Sequence, residues 1–471
     1  MYGYLFGHFV NMWRPHLVPG TRQKSLALVE ALEADIASGR VASGERLPAQ
    51  RVIAEALGID LTTVTRAFNE ARRRGLIEAR AGRGTFVSRG SASGNSRSGF
   101  VHLQVDMSMN IPPQPASIDL RKLLPHTVGT VLGGHDGGLH LQYQESTGTE
   151  FDRRHGAEWL SRRVAPIGFE RVVVAAGAQT ALFAVSELVA RPGEAIAAGE
   201  YVYPGLRAVA LQRGLAMQPV AMDEAGLLPD SFEKACLSAP VRALCLVPNI
   251  DNPTTATLPG ERRRAVADIA RRHGVAIIED DPYGALLPST PPAFAEIAPD
   301  ITWHVATLSK CATPGLRIAY VAAPSPTDAL RLAGVLRATT LTASPLTAAI
   351  ASQWIADGTL DRIAAAIATE NRARQALAAN ILGQFTYRAD PHGHHLWLDL
   401  PDHWRARDFS DRASLAGVPV VASQVFAIGP QPREAVRISL GLAPDREALS
   451  RGLTELATLM ERPALHYRPV V

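Results

Sequence analysis

Apolar positions along the 471 residues change their spacing once, and the change divides the chain. In the first stretch Leu26, Val29, Ala31, Leu32 and Ile36 recur at helical spacing, and Gly39 follows them as a stop. Pro48 predicts the first turn of a second helix that Gly58 ends. Asp60 predicts the N-cap of a third, Leu61 to Arg74, closed by Gly75. Two short helices joined by a tight Gly-containing turn predict a helix-turn-helix, whose second helix offers Thr62, Thr63 and Arg66 to a major groove. Leu76 to Arg80 and Gly84 to Val87 then read as two strands around Ala81-Gly82-Arg83, a hairpin wing with a cation at its tip.

From Ser88 to Gly99 the chain is polar, rich in Gly and Ser, and without periodicity, which predicts a flexible linker. Beyond it, fully apolar strands alternate with helices. Val172 to Ala175 enters the small-residue turn Gly177-Ala178-Gln179-Thr180 and a helix from Ala181 to about Ala190. Arg242 to Val247, Val275 to Ile278 and Thr302 to Thr307 are further strands, and Gly260 to Gly274 is a basic amphipathic helix. This pattern predicts an α/β unit built on a mostly parallel sheet covered on both faces. The expected layout is a winged helix-turn-helix over 13–88, a linker over 89–104 and the α/β unit over 105–471. Within that unit we expect a large part over about 120–335 and a smaller C-terminal α+β part over about 336–471.

Composition narrows the function. The net charge of +3 does not announce a polyanion partner for the whole chain, but Arg14 to Arg89 carries thirteen Lys/Arg against eight Asp/Glu, a surplus that suits phosphate contact by the first unit. In that reading Thr62, Thr63 and Arg66 meet base edges, while Gln50, Arg51 and Arg83 mostly touch phosphates or groove edges. The three cysteines are widely spaced and form no CxxC, which argues against a disulfide framework or a zinc site and for a reducing cytoplasm. The first ten residues lack the basic region and cleavage site of a signal peptide, and no later run has the uncharged length to span a bilayer.

The chemistry centres on Thr307-Leu308-Ser309-Lys310-Cys311-Ala312-Thr313-Pro314-Gly315-Leu316-Arg317. Lys310 is one of only four lysines, against forty-four arginines. A primary amine can lose its proton when buried and condense with an aldehyde, which a guanidinium cannot. Thr307 and Arg317 are a hydroxyl donor and a fixed cation suited to a phosphate. An aldehyde that also carries a phosphate suggests pyridoxal 5′-phosphate (PLP). The turn at Gly177 exposes backbone N–H groups to an anion, and Asn252, Asp280 and Tyr283 follow strand ends in order before Lys310. A carboxylate facing a pyridine nitrogen would keep the ring an electron sink, and an amide and a phenol could hydrogen-bond its 3′-oxygen.

Two resemblances add to this. Ser38-Gly39-Arg40, Gly44-Glu45-Arg46-Leu47-Pro48, Thr63-Val64-Thr65-Arg66-Ala67 and Gly82-Arg83-Gly84-Thr85-Phe86-Val87 resemble, in order and spacing, the winged-helix domain of the GntR family. From about Val105 onward the chain resembles a fold-type I, aspartate aminotransferase-like protein. That resemblance implies Lys310 as the internal-aldimine lysine, Asp280 on the pyridine nitrogen, Asn252 and Tyr283 on the phenolic oxygen, and Ala178, Gln179, Thr307 and Arg317 on the phosphate. It further implies Tyr203 stacked on the ring, Tyr143 lent to a partner's phosphate, and Arg437 as the clamp for a substrate or effector carboxylate. Asn110-Ile111-Pro112 departs from the Gly-x-Pro frequent there, and Ala178 stands where a serine is frequent. The combined layout is similar to the MocR subfamily of bacterial transcription regulators. What this implies is a PLP-binding homodimer, often domain-swapped, that binds operator DNA and in some members senses an amino compound. A working aminotransferase is the alternative that the intact residue set leaves open.

Overall fold

A computed structural model describes residues 13, 15, 24–37, 40–42, 44–73, 76–80, 84–87, 105–134, 141–430 and 432–462. The chain falls into two compact units that part between Phe100 and Val101. In the first, α1 (Lys24–Ala37), α2 (Gln50–Leu57) and α3 (Leu61–Arg73) precede a hairpin of β1 (Ile77–Arg80) and β2 (Gly84–Val87). They close around one core that includes Trp13, Leu28, Ile53, Val64, Phe68 and Val87. Within it the Trp13 indole donates to Asp35 at 2.8 Å. Gly58, at φ +59, ends α2 in the left-handed conformation, and the Asp60 carboxylate accepts the Thr62 N–H at 2.7 Å to start α3.

Helix α2 begins two residues later than Pro48 predicts. The preceding residues are drawn into the wing: the Leu47 N–H donates to the Thr85 carbonyl and the Val87 N–H to the Glu45 carbonyl, each at 2.9 Å. The chain therefore remains extended through Ala49, the N-cap. The expected stops at Gly39 and Gly75, the wing tip Ala81-Gly82-Arg83 and the linker 89–104 lie outside the described residues.

The second unit opens with α4 (Leu120–Gly133) and α5 (Glu150–Ser161). An alternation follows: β3 (Val172–Ala175), α6 (Ala178–Val189), β4 (Ala195–Gly199), α7 (Pro204–Arg213), β5 (Ala216–Val220), the pair β6 (Met222–Asp223) and β7 (Gly226–Leu227), α8 (Pro229–Ser238) and β8 (Val241–Leu246). It continues with α9 (Gly260–His273), β9 (Ala276–Asp281), α10 (Phe294–Ile297), β10 (Thr302–Thr307), β11 (Ala319–Ala322) and α11 (Pro326–Thr339). Seven strands form one sheet in the order β3-β11-β10-β9-β8-β4-β5, parallel except for β11, which runs against both neighbours. Val172 and Val174 face one core and Val173 and Ala175 the other, so both faces of the sheet are covered.

Two boundaries differ from the sequence pattern, and both shape the site. Helix α6 begins at Ala178 rather than Ala181, because Gly177 at φ +89 turns the chain directly out of β3. Strand β9 does not stop at Ile278 but carries Glu279, Asp280 and Asp281 as well, with Asp280 opposite Val305 and Asp281 opposite Ala306 of β10. Their charge hides them from a search for apolar runs, yet tertiary partners hold them in the strand: Asp281 accepts from Asn249 Nδ2 at 3.0 Å and from the Gly284 N–H at 2.9 Å.

The chain ends with α12 (Pro345–Ala356), α13 (Thr359–Leu382), β12 (Tyr387–Ala389), β13 (His395–Asp399), α14 (Ala406–Leu415), β14 (Val421–Ala422), β15 (Ala435–Ser439) and α15 (Arg446–Glu461). These strands form an antiparallel sheet in the order β12-β13-β15-β14. Helix α13 bridges the two sheets, with Ile363 and Ile367 in the core of the large one and Ala378 and Leu382 in that of the small one. Val105 and Met107 also fill the small core, and their N–H groups donate to the carbonyls of Gly417 and Pro419. This anchoring brings Asn110 alongside residues from the far end of the chain. Among the described residues no helix is long and apolar enough to cross a membrane.

Candidate cofactor site and nucleic-acid interface

The carboxyl ends of β3, β4, β8, β9 and β10 lie along one edge of the sheet, the edge at which open α/β sheets take ligands. Gly177 to Gln179, Tyr203, Asn252, Asp280 and the Lys310 to Arg317 loop all issue from it. Arg437 reaches it from β15 and Asn110 from the anchored leading segment.

Lys310 Nζ donates to the main-chain oxygen of Asn110. Burial and the positive charges of Arg437 and Arg317, opposed by Asp280, bring its pKa down to about 8. Near neutral pH about a tenth of the amine is therefore neutral, the form that attacks an aldehyde, far more than for an ordinary lysine. Asp280 is a buried acid pushed up to about 7 by burial and by Asp281, with Lys310 pulling the other way. Its Oδ1 is buried and has no hydrogen-bond partner among the described residues. Buried acceptors are normally satisfied, so this oxygen is suited to a donor brought by a ligand.

Arg437 donates through Nη1 to Asn252 Oδ1 at 2.9 Å and through Nη2 to the Ser108 carbonyl, while its Nε is buried without a partner among the described residues. Its guanidinium lies 4.9 Å from the centre of the Phe426 ring. Tyr283 is wholly buried, and its Oη accepts from Asn110 Nδ2 at 2.7 Å.

The phosphate-sized end of the site is built by two backbone exceptions. Arg317 sits at φ +53 and Gly177 at φ +89, and a Cβ on residue 177 would lie 2.6 Å from Arg317 Nη2. The guanidinium is thus seated on bare backbone at the start of α6, where N–H groups and helix dipole also favour an anion. Ala178 and Gln179 contribute the first N–H groups of α6. The Gln179 side chain turns away and donates to the Gly205 carbonyl at 2.9 Å, tying α6 to the turn that carries Tyr203. The Thr307 hydroxyl donates to the Ile318 carbonyl at 3.1 Å and lies 3.0 Å from Ser309 Oγ, bracing the Lys310 loop.

Tyr203 packs over Gly205 and shares with Asp280, Cys245 and Val247 the wall of a small cavity of about 40 Å³. Tyr143 stands apart. It is 89% exposed, on a surface groove with Leu341 and Pro345. The remaining donors fit PLP: an amine for the aldehyde, a cation and helix start for the phosphate, an unpaired acid for the ring nitrogen, and a phenol and an amide for the phenolic oxygen.

The sequence reading passed over several neighbours of these groups. His394 Nε2 lies 3.0 Å from the Lys310 carbonyl and its Nδ1 lies 3.1 Å from Asn371 Oδ1, while His395 faces both Asn110 and the Asp251 carbonyl. Two adjacent histidines opening an apolar strand were visible as a pattern. Nothing along the chain, however, pairs residue 395 with residue 110.

In the first unit Arg51, Thr62 and Arg66 are exposed, and Gln50 and Thr63 are half-buried. Gln50 Oε1 accepts from the Thr65 hydroxyl at 2.9 Å, fixing α2 against α3. The Thr62 hydroxyl donates to Asp60, within the cap of α3. Arg51 and Arg66 present exposed cations on adjoining helices, and Arg83 lies outside the described residues.

Fold and donor set together define a regulator-type chain in which a winged helix is joined to an aminotransferase-like, PLP-binding unit. The family described as Aminotransferase class I and II matches residues 103–456, and the chain belongs to it; the family of bacterial regulatory proteins, gntR family, matches 24–87. This is the MocR arrangement. Similar proteins include the uncharacterized HTH-type transcriptional regulator YdeF of Bacillus subtilis, 29% identical over 97% of this chain and 98% of its own. The vitamin B6 salvage pathway transcriptional repressor PtsJ of Salmonella typhimurium is 25% identical over 89% of this chain and 95% of its own. Among solved structures, the α-aminoadipate aminotransferase LysN of Thermus thermophilus shares the fold with a TM-score of 0.69 at 22% identity, over 76% of this chain and 92% of its own.

Proposed function

We propose that this protein regulates transcription in the cytoplasm in response to PLP, alone or together with a small amine or amino acid. Lys310 holds the aldehyde, Asp280 the ring nitrogen, Asn252 and Tyr283 the phenolic oxygen, and Ala178, Gln179, Thr307 and Arg317 the phosphate, with Tyr203 over the ring. PLP itself supplies an electron sink. Arg437 orients an effector carboxylate through its guanidinium, and the surrounding apolar walls exclude water. Operator DNA is met by Thr62, Thr63 and Arg66, with Gln50, Arg51 and Arg83 on the flanks. The acting species is a homodimer, with reader units exchanged and Tyr143 reaching the partner's phosphate. A ligand acts by binding one arrangement of that dimer better than another.

The observation that carries this reading is the union, in one chain, of a capped recognition helix with exposed Arg66 and a site in which the Lys310 amine, the unpaired Asp280 oxygen and the Arg317 cradle converge. An enzyme alone has no use for the first. The test is the visible absorption of the purified protein with PLP, with and without a panel of amino acids, beside Lys310→Ala. A band present in the native protein, absent in the variant and altered by one class of amine, with a parallel change in operator affinity, is expected. Sustained turnover of an amino acid with no change in DNA binding would instead favour the aminotransferase.

A further inference from the structure

Asn110 occupies a position that the cofactor chemistry alone does not explain. Its main-chain oxygen accepts from Lys310 Nζ, and its side chain lies between Tyr283 and His395. The direction of each hydrogen bond in this group can be worked out from the far end. The Asp251 main-chain oxygen lies 3.1 Å from His395 Nε2, and a carbonyl can only accept, so Nε2 carries the ring proton. His395 is completely buried. Burial first, then the charges of Arg437 and Lys310, lower its pKa to about 3 and keep the ring neutral. Its Nδ1 is consequently an acceptor. Nδ1 faces Asn110 Nδ2 at 3.4 Å, and turning the amide over would set Oδ1 against the Nδ1 lone pair. The amide is thus fixed with its NH₂ toward both His395 and Tyr283, and the Tyr283 oxygen accepts a hydrogen bond from Asn110 at 2.7 Å.

Tyr283 itself remains protonated, because burial pushes its pKa upward. Having accepted from Asn110, the phenol must send its own proton elsewhere. We infer that Asp251, His395 and Asn110 form a positioning relay that commits Tyr283 to donate its proton to the phenolic oxygen of the bound cofactor. This rests on the reading that PLP occupies the site. The charged or titratable groups that face Tyr283 are Arg437 on β15, His395 on β13 and His394 just before it, Asp280 on β9 and Asp251 after β8; Lys310 faces both histidines. None of them accepts a hydrogen bond from the Tyr283 hydroxyl among the described residues.

A phenol donating to that oxygen stabilises its anionic form, so the relay lowers the pH at which the visible absorption of the bound cofactor titrates. Asn110→Ala releases the phenol and is expected to raise the absorbance midpoint by about one pH unit, a tenfold change in the proton equilibrium. Asn110→Asp keeps the volume but offers only acceptors to the phenol, so it should raise the midpoint further. It also serves if the alanine variant folds poorly. In a Tyr283→Phe background, which has no phenol to direct, Asn110→Ala should add no further shift, whereas a merely structural role would leave its effect intact. A native protein that titrates, with both Asn110 variants at the native midpoint, would overturn the relay and leave the cofactor reading standing. A native protein with no cofactor absorption at all would overturn both.

Discussion

Asp280 is a carboxylic acid held where a carboxylate is costly, and that fact has a measurable sign. Its pKa in the folded, cofactor-free chain is about 7 against an ordinary 3.8, so as pH rises between those values the unfolded chain releases the proton first and stability falls. The full separation corresponds to at most about 4 kcal/mol. A cationic ring nitrogen against Asp280 removes the penalty. The gain in melting temperature on adding PLP should therefore be larger at pH 8 than at pH 5. Asp280→Asn should make the cofactor-free protein more stable relative to the native one at pH 8 than at pH 5, while weakening PLP binding. An equal difference at the two pH values would show that the acid is paired in solution. Asp251, also raised, to about 6, adds to the same slope, which is why the comparison must be made against the substitution. A second residue-scale expectation concerns Lys310: with a pKa of about 8, its rate of cofactor capture should rise with pH to a midpoint near that value.

At the scale of elements, the turn from β3 into α6 is where backbone conformation and ligand chemistry meet. Only a residue without a Cβ tolerates φ +89 there and leaves room for the Arg317 guanidinium. Gly177→Ala should displace that guanidinium and weaken PLP binding roughly 10- to 100-fold, about 1.4–2.8 kcal/mol, without loss of overall helix content. Absorbance titration alongside circular dichroism separates the two effects; an unchanged dissociation constant would exclude the cradle. The turn was visible in the sequence as a small-residue break before an apolar helix. The second half of the cradle was not, since Arg317 arrives from a loop 140 positions away. The same holds for β9, whose last three residues look like a charged loop until their partners in β10 and at Asn249 and Gly284 are known.

For the whole molecule, the two compact units each own a core and divide the work. Arg66→Ala should weaken operator binding by about 1–3 kcal/mol while leaving the cofactor absorption as it was. Operator affinity at fixed salt that does not change would place the DNA-reading surface elsewhere on the first unit.

What the chain alone determined is local. Helical spacing, the caps at Gly58 and Asp60 and the apolar strands follow from backbone sterics and burial period, and these suffice for the α/β class and the winged helix, while the side-chain types in the succession Asn252, Asp280, Tyr283, Lys310 mark them only as candidate cofactor residues. Only the tertiary structure decided which of these groups are satisfied and which are left with unpaired atoms. Hydrogen bonds from Asn110 to Tyr283 and from Arg437 to Asn252 span 173 and 185 residues. The unpaired Asp280 oxygen exists only because folding removed water from around it. Such pairings have no periodic signature, because loop closure brings together residues whose spacing along the chain is arbitrary.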